Sequence, residues 1–301
     1  MTTATRPPRW LDEAAWLDEP DRAALTVADE ASLGPFRLLI LAGRDGRHYY
    51  APTRPGGADA CRDEAFDRAV IDALRTGLTL PTRAGHLIEF QGTPAAYAGP
   101  LPFDPGWSSN TLSLVDLGGI AHAHKTFRRI TPGSREPDLL AAMRDSGKTQ
   151  QPVGDYTYRH AGGRSPLGML YAYADGDGLD VPLRHSLRAL WPQLAAQVPA
   201  SAAVTAVTAD LAGPLTAAGR FLRGFHRDLA ARLGPTGPFP QAAFLAETRE
   251  RIGSVAAVVR ADDRHPAPVR DAVVDALHAA WAQGRVTAPV PGGAVHGDLH
   301  L

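Results

Sequence analysis

The last six residues of the chain, His296-Gly297-Asp298-Leu299-His300-Leu301, hold its strongest chemical signal. An aspartate on a short loop after a helix, beside a glycine that leaves room for a substrate, meets one need of a phosphoryl-transfer enzyme. That need is a carboxylate next to the acceptor hydroxyl. The same triplet also suits an ordinary turn, and spacing alone does not separate the two. Other patterns fail on their own terms. Ser146-Gly147-Lys148-Thr149 matches the end of a phosphate-binding loop, yet the position that needs the first glycine is Ala142. The stretch from Asp175 to Asp180 suggests a calcium loop, but its twelfth position is Ser186 and not a glutamate. His296 and His300 are spaced i, i+4, without the helix and adjacent glutamate that a zinc motif needs. His122 and His124 alternate on one strand face with no third ligand in view, and read as surface residues. His226, on an apolar helix, reads as a core histidine with no chemistry assigned.

The elements that must carry these residues follow from periodicity and turn chemistry. Residues 36–41 form an apolar strand, Gly43-Arg44-Asp45-Gly46 a turn, and His48-Tyr49-Tyr50 the return strand of a hairpin. Phe66, Val70, Ile71 and Leu74 recur at helical spacing over 64–75, and Gly77 supplies the stop. Residues 86–90 read as a short strand, and 97–106, rich in Gly and Pro, as a linker. A second hairpin spans 111–117 and 120–127 around Gly118-Gly119. A short helix is expected over 137–144 and a buried strand over 167–173. From Val181 onward the pattern turns helical, with apolar faces over 215–233 and 269–281, and Pro289 to Gly293 reads as a loop. Strands followed by helices predict an α+β fold in three parts. These are an α+β unit over 1–94, a strand-rich lobe over 95–178 and a helical lobe over 179–301.

Composition narrows the function classes. The 301 residues allow more than one domain, and 44% apolar content is ordinary for a folded chain. The net charge of -1 lacks the basic excess of a nucleic-acid-binding protein, so no nucleic-acid partner is expected. The single cysteine, Cys61, permits neither an intrachain disulfide nor a thiolate cluster and fits a reducing cytoplasm. The N-terminus has early charges and no apolar core, so it is not a secretory signal. The most apolar stretch, 189–213, is broken by Pro192, Gln193, Gln197, Pro199 and Asp210, so no membrane span is expected.

His296-Gly297-Asp298-Leu299-His300 resembles the catalytic loop of the aminoglycoside phosphotransferase-like kinases. The longer form ending in Leu301 is most similar to the branch that holds maltokinases and actinobacterial glucosamine kinases. The resemblance runs in order from Trp107 to Leu301 and is weak over the first ninety residues, where Arg9-Trp10-Leu11-Asp12-Glu13 departs from the maltokinase pattern. It implies a protein-kinase-like fold, with the first unit as a cap on the strand-rich lobe. It also implies ATP and Mg2+ as cofactors, and transfer of the γ-phosphoryl group to a hydroxyl of a sugar or amino sugar by a monomer.

Residue by residue, the resemblance makes Asp298 the catalytic base. It makes Trp107-Ser108-Ser109-Asn110-Thr111 the turn over the ATP phosphates, where hydroxyls and free N–H groups can donate. Lys125, in Lys125-Thr126-Phe127-Arg128-Arg129, becomes the lysine on the α- and β-phosphates. Its helix carboxylate is best matched by Asp138, with Glu136 as the alternative. The backbone at Tyr171-Ala172-Tyr173 would read adenine. The family's magnesium ligands and most sugar-selecting helices lie beyond the position of Leu301. The expectation is therefore a fragment of a longer kinase with little or no phosphotransfer of its own. The alternatives are a kinase-like module that only binds nucleotide, and an aminoglycoside phosphotransferase.

Overall fold

Leu38, Leu39, Ile40 and Leu41 are all buried, on both faces of one strand, and this run fixes the centre of the N-terminal half. The structure is a computed structural model that describes residues 7–17, 19–104, 109–176, 178, 180–234 and 237–283. Two compact units divide the chain, Met1–Gly178 and Leu179–Leu301. The first begins with a 3-10 turn (Arg9–Glu13), helix α1 (Glu19–Arg22) and strands β1 (Thr26–Leu33), β2 (Phe36–Ala42) and β3 (His48–Thr53). Helix α2 (Glu64–Thr76) leads to β4 (Thr79–Pro81), β5 (Leu87–Gly92), β6 (Tyr97–Leu101), β7 (Thr111–Leu117), β8 (Ile120–Thr126) and β9 (Arg129–Ile130). Helix α3 (Glu136–Met143) and the long hairpin β10 (Pro152–His160) and β11 (Gly163–Ala172) complete it. The second unit holds α4 (Asp180–Ala195), α5 (Ala200–Thr208), α6 (Ala212–Leu233), α7 (Gln241–Ala261) and α8 (Ala267–Gln283). This is the α+β class expected from the sequence. None of the described helices is long and apolar enough to cross a membrane.

The strands make two antiparallel sheets, one in the order β1-β2-β3-β9 and one in the order β4-β5-β10-β11-β8-β7-β6. The second corrects the expected boundary between 94 and 95. It takes β4 and β5 from before that point and five strands from after it, because β5 pairs with β10 from Gly92↔Gly154 to Leu87↔Arg159. The expected linker is corrected as well. Its first part is β6, an edge strand paired with β7, where Pro100 is tolerated because one side of the strand has no ladder to serve.

The apolar alternation divides the sheet faces. On one face of the longer sheet, Ile88, Phe90, Tyr156, Leu170 and Val115 pack with Phe66, Val70, Ile71 and Leu74 of α2. Helix α2 is well delimited: Asp63 caps its first turn by accepting from the Ala65 N–H, and Gly77 ends it at φ 62°. The other sheet shares that core through Leu38, Ile40 and Tyr50. It turns Leu39, Leu41 and Tyr49 toward Leu11, Leu17, Trp10 and Trp16. The buried carboxylate of Asp29 ties β1 to the neighbouring strands, accepting from Thr82 Oγ1 at 2.6 Å, the Ala84 N–H at 2.8 Å and Tyr158 Oη at 2.8 Å. Burial pushes its pKa up, but these donors hold it below the ordinary carboxylate value.

Tyr158 also leads to a histidine cluster with a pH consequence. His160 stacks on Tyr158 at 5.1 Å and lies 6.4 Å from the ring of His86. Its Nδ1 accepts the Gly162 N–H at 3.2 Å, which leaves Nε2, 3.3 Å from Ser165 Oγ, to carry the proton. Burial first, then the charges of His86 and His48, hold its pKa below the usual histidine value. The folded state therefore binds fewer protons than the unfolded one once pH drops below about 6.5. We expect stability to be unaffected above that pH and to fall steadily below it. Urea midpoints measured from pH 8 to pH 5 should show this slope, and His160→Gln should flatten it.

Candidate functional site

Lys125 projects from β8 in a row of directly paired residues that crosses five strands and ends at Gln91 of β5. Leu112 of β7 stands on one side, then Met169 of β11 and Asp155 of β10 on the other. Directly paired residues share a face, so this row lies opposite the face that packs on α2, which takes the alternate residues His124 and Thr126. The lysine is largely enclosed, with 19% of its side chain exposed. Its Nζ donates to Glu136 Oε1 at 2.7 Å and lies 5.0 Å from the centre of the Phe127 ring.

Glu136 opens α3, with Pro137 in the first turn, where a negative charge and a missing N–H are both favourable. The carboxylate that meets Lys125 is thus Glu136 and not Asp138, the residue preferred from the sequence. Asp138 lies instead near Asp155, whose carboxyl is raised above the ordinary value by burial first, opposed by Arg164, and raised further by Asp138. Tyr171, two residues along β11 from Met169, borders the same charges. Its hydroxyl is pushed up to about 12 by burial, then by Glu136 and Tyr173.

At the end of the sheet, two backbone donors of the expected hinge are already engaged. The Ala172 N–H donates to the Gln151 carbonyl at 2.8 Å and the Tyr173 N–H to the Ala121 carbonyl at 2.9 Å. Both donors belong to the sheet, so adenine cannot be read by the N–H groups of Ala172 or Tyr173. The side chain of Tyr173 meets Phe103, which follows β6, ring edge to ring face at 5.6 Å.

Of the turn between β6 and β7, Ser109 is exposed, and Asn110 and Thr111 are half-buried. Thr111 opens β7 directly across from Thr126, one residue along β8 from Lys125. Trp107 and Ser108 lie outside the described residues, as does Asp298. The structure therefore brings Lys125, Glu136, Asp155 and Tyr171 to one face of one sheet, with the 109–111 turn at its margin.

The histidines read as surface residues are buried. His124 Nδ1 lies 2.6 Å from Asp67 Oδ1 and its Nε2 3.1 Å from Tyr156 Oη, while His122 Nδ1 meets the Ile120 carbonyl at 2.9 Å. Asp155 and Arg128 were given no role from the sequence. A lone acidic residue between Gly154 and Tyr156 in a strand was the only available signal for the first. Nothing local marks the second, since its partners are distant in the chain.

Neither a family model nor a curated protein sequence matches this chain. Solved structures do. A glucosamine kinase in complex with glucosamine, ADP and inorganic phosphate is 17% identical with a TM-score of 0.54, over 96% of this chain and 64% of that one. Crystal form B of glucosamine kinase gives 17% and 0.56 with the same coverage. Crystal form A gives 18% and 0.52, over 93% and 63%. At this identity the likeness establishes a shared fold, and the chain spans 64% of the length of the first of these structures.

Proposed function

We propose that this chain forms the nucleotide-binding part of an ATP-dependent kinase that phosphorylates a hydroxyl of a sugar or amino sugar, with glucosamine the first candidate. The carrying observation is the Lys125–Glu136 pair at 2.7 Å on the sheet face bordered by the 109–111 turn. A largely enclosed ammonium held by a helix carboxylate is the arrangement that orients a lysine toward nucleotide phosphates. The fold shared with glucosamine kinases supports the same reading.

In this reading Lys125 holds the α- and β-phosphates. Ser108, Ser109, Asn110 and the backbone of Thr111 cover them with hydroxyl and N–H donors, while the Thr111 side chain turns with Thr126 to the opposite face, and Tyr171 and Tyr173 border adenine. Asp298 orients the acceptor hydroxyl and takes its proton. Bound magnesium would offset charge on the phosphates. Among the described residues no group of His, Cys, Asp and Glu is placed to hold a metal ion, so none is assigned as its ligand. The remaining parts of the proposal are a cytoplasmic monomer with a small-molecule substrate and no nucleic-acid or membrane partner.

Two measurements test this. Titration with a fluorescent ADP analogue should give saturable binding that unlabelled ATP displaces. A longer form carrying the chain should release ADP with glucosamine and not with maltose or kanamycin. Absence of nucleotide binding would overturn the proposal, and turnover with kanamycin alone would overturn the sugar assignment.

A further inference from the structure

We propose that Arg128 is a positioning residue of the nucleotide turn, and that through it the N-terminal segment becomes part of the nucleotide-binding machinery. This deepens the function proposed above and rests on it. Arg128 sits where the chain leaves β8 of one sheet and enters β9 of the other, and its carbonyl accepts the Tyr50 N–H at 2.8 Å. It is 2% exposed, although arginine is almost never fully buried without partners.

Each partner belongs to a different part of the first unit. Nε donates to Thr111 Oγ1 at 2.7 Å, at the margin of the turn. Nη2 donates to the Asp59 carboxylate, which lies between β3 and α2. The guanidinium lies 5.0 Å from the Trp16 ring centre and 5.7 Å from that of Trp10. Nη1 is buried with no hydrogen-bond partner among the described residues.

A planar cation held by a carboxylate and two aromatic rings is fixed in direction as well as place. Its remaining bond goes to Thr111, the last residue of the phosphate-covering turn. A loop that must present donors to a polyphosphate loses affinity when its ends are free to move, because binding must then order it. Arg128 supplies that order in advance, and Asp59, Trp10 and Trp16 hold Arg128. Coupling of this kind is reciprocal, so nucleotide binding must in turn stabilise the N-terminal segment.

Asp59 is the decisive position, because it touches neither the turn nor any residue assigned to the nucleotide. Asp59→Asn keeps an oxygen for the Cys61 N–H that Oδ1 now accepts at 3.0 Å, and removes the charge facing Arg128. Thr111→Val removes the acceptor at the other end. Affinity for the fluorescent ADP analogue and amide exchange over 109–112 are measured for wild type, both variants and the double variant.

Each single variant is expected to bind about five- to tenfold more weakly and to exchange faster over 109–112, and the double variant to be no worse than Thr111→Val alone, because both act through one arginine. Wild-type affinity in Asp59→Asn, or losses that simply add, would overturn the proposal. If wild type binds no nucleotide, the functional reading falls by itself. The exchange data then still decide whether Arg128 holds the turn: unchanged exchange in Asp59→Asn refutes it.

Discussion

Lys125→Met is expected to weaken ATP and ADP binding by about 30- to 100-fold, with no loss of folding. The side chain is enclosed by Glu136 and Phe127, and its ammonium is the cation in that row of the sheet. Charge-assisted hydrogen bonds to phosphate contribute about twice what neutral ones do, and the methionine keeps the stem while deleting the charge. Glu136→Gln should cost less, about tenfold, because the glutamate acts on the nucleotide only by directing the lysine. Asp138→Asn should leave affinity unchanged, which separates the observed pairing from the one expected on sequence grounds. Isothermal titration of the four proteins with ADP checks the order. Equal affinity for wild type and Lys125→Met would remove the basis of the proposed function.

How far this site could be read in advance depended on which contacts were local. Lys125 and its strand were legible, because the Gly118-Gly119 turn and the alternating residues around it fix the β7–β8 hairpin within sixteen residues. Helix α2 was legible for the same reason, with its apolar spacing and its Gly77 stop both in the sequence. The partner of Lys125 was not. Choosing between Glu136 and Asp138 needs to know what α3 packs on, and that is β10, a strand whose polar and aromatic residues carry no plain apolar alternation. The same omission hid Asp155, and it hid the continuity of the seven-stranded sheet, because β10 joins β5 to β11. Strand β6 was concealed by Gly99 and Pro100, which mark a linker in a chain read alone and an edge strand once β7 is beside them. His122 and His124 were placed correctly on one face, but the identity of that face depends on α2, nearly sixty residues earlier.

That buried histidine underlies the second large effect. Asp67→Ala is expected to destabilise the first unit by about 3 kcal/mol. Asp67 Oδ1 lies 2.6 Å from His124 Nδ1 and accepts from Ser113 Oγ at 2.9 Å. It thereby ties α2 to β8 and β7 on the face opposite Lys125. Alanine leaves the buried His124 ring and the half-buried Ser113 hydroxyl without an acceptor, and an unmet buried group costs about 1–3 kcal/mol. The rest of the network cannot compensate: His124 Nε2 is already 3.1 Å from Tyr156 Oη, which lies 3.3 Å from Thr126 Oγ1. The Tyr156 ring is itself fixed, because it covers Gly168 so closely that a Cβ there would come within 2.3 Å of it. The melting temperature should drop by about 6–12 °C. Asp67→Leu combined with His124→Phe should cost less than the two single changes added together, since the double change removes both His124 and Asp67 and so leaves fewer polar groups unmet than the two single changes do in sum. Strict additivity, or a loss below about 0.5 kcal/mol for Asp67→Ala, would show that burial of α2 alone holds the lysine-bearing strand and that the polar network is incidental to it.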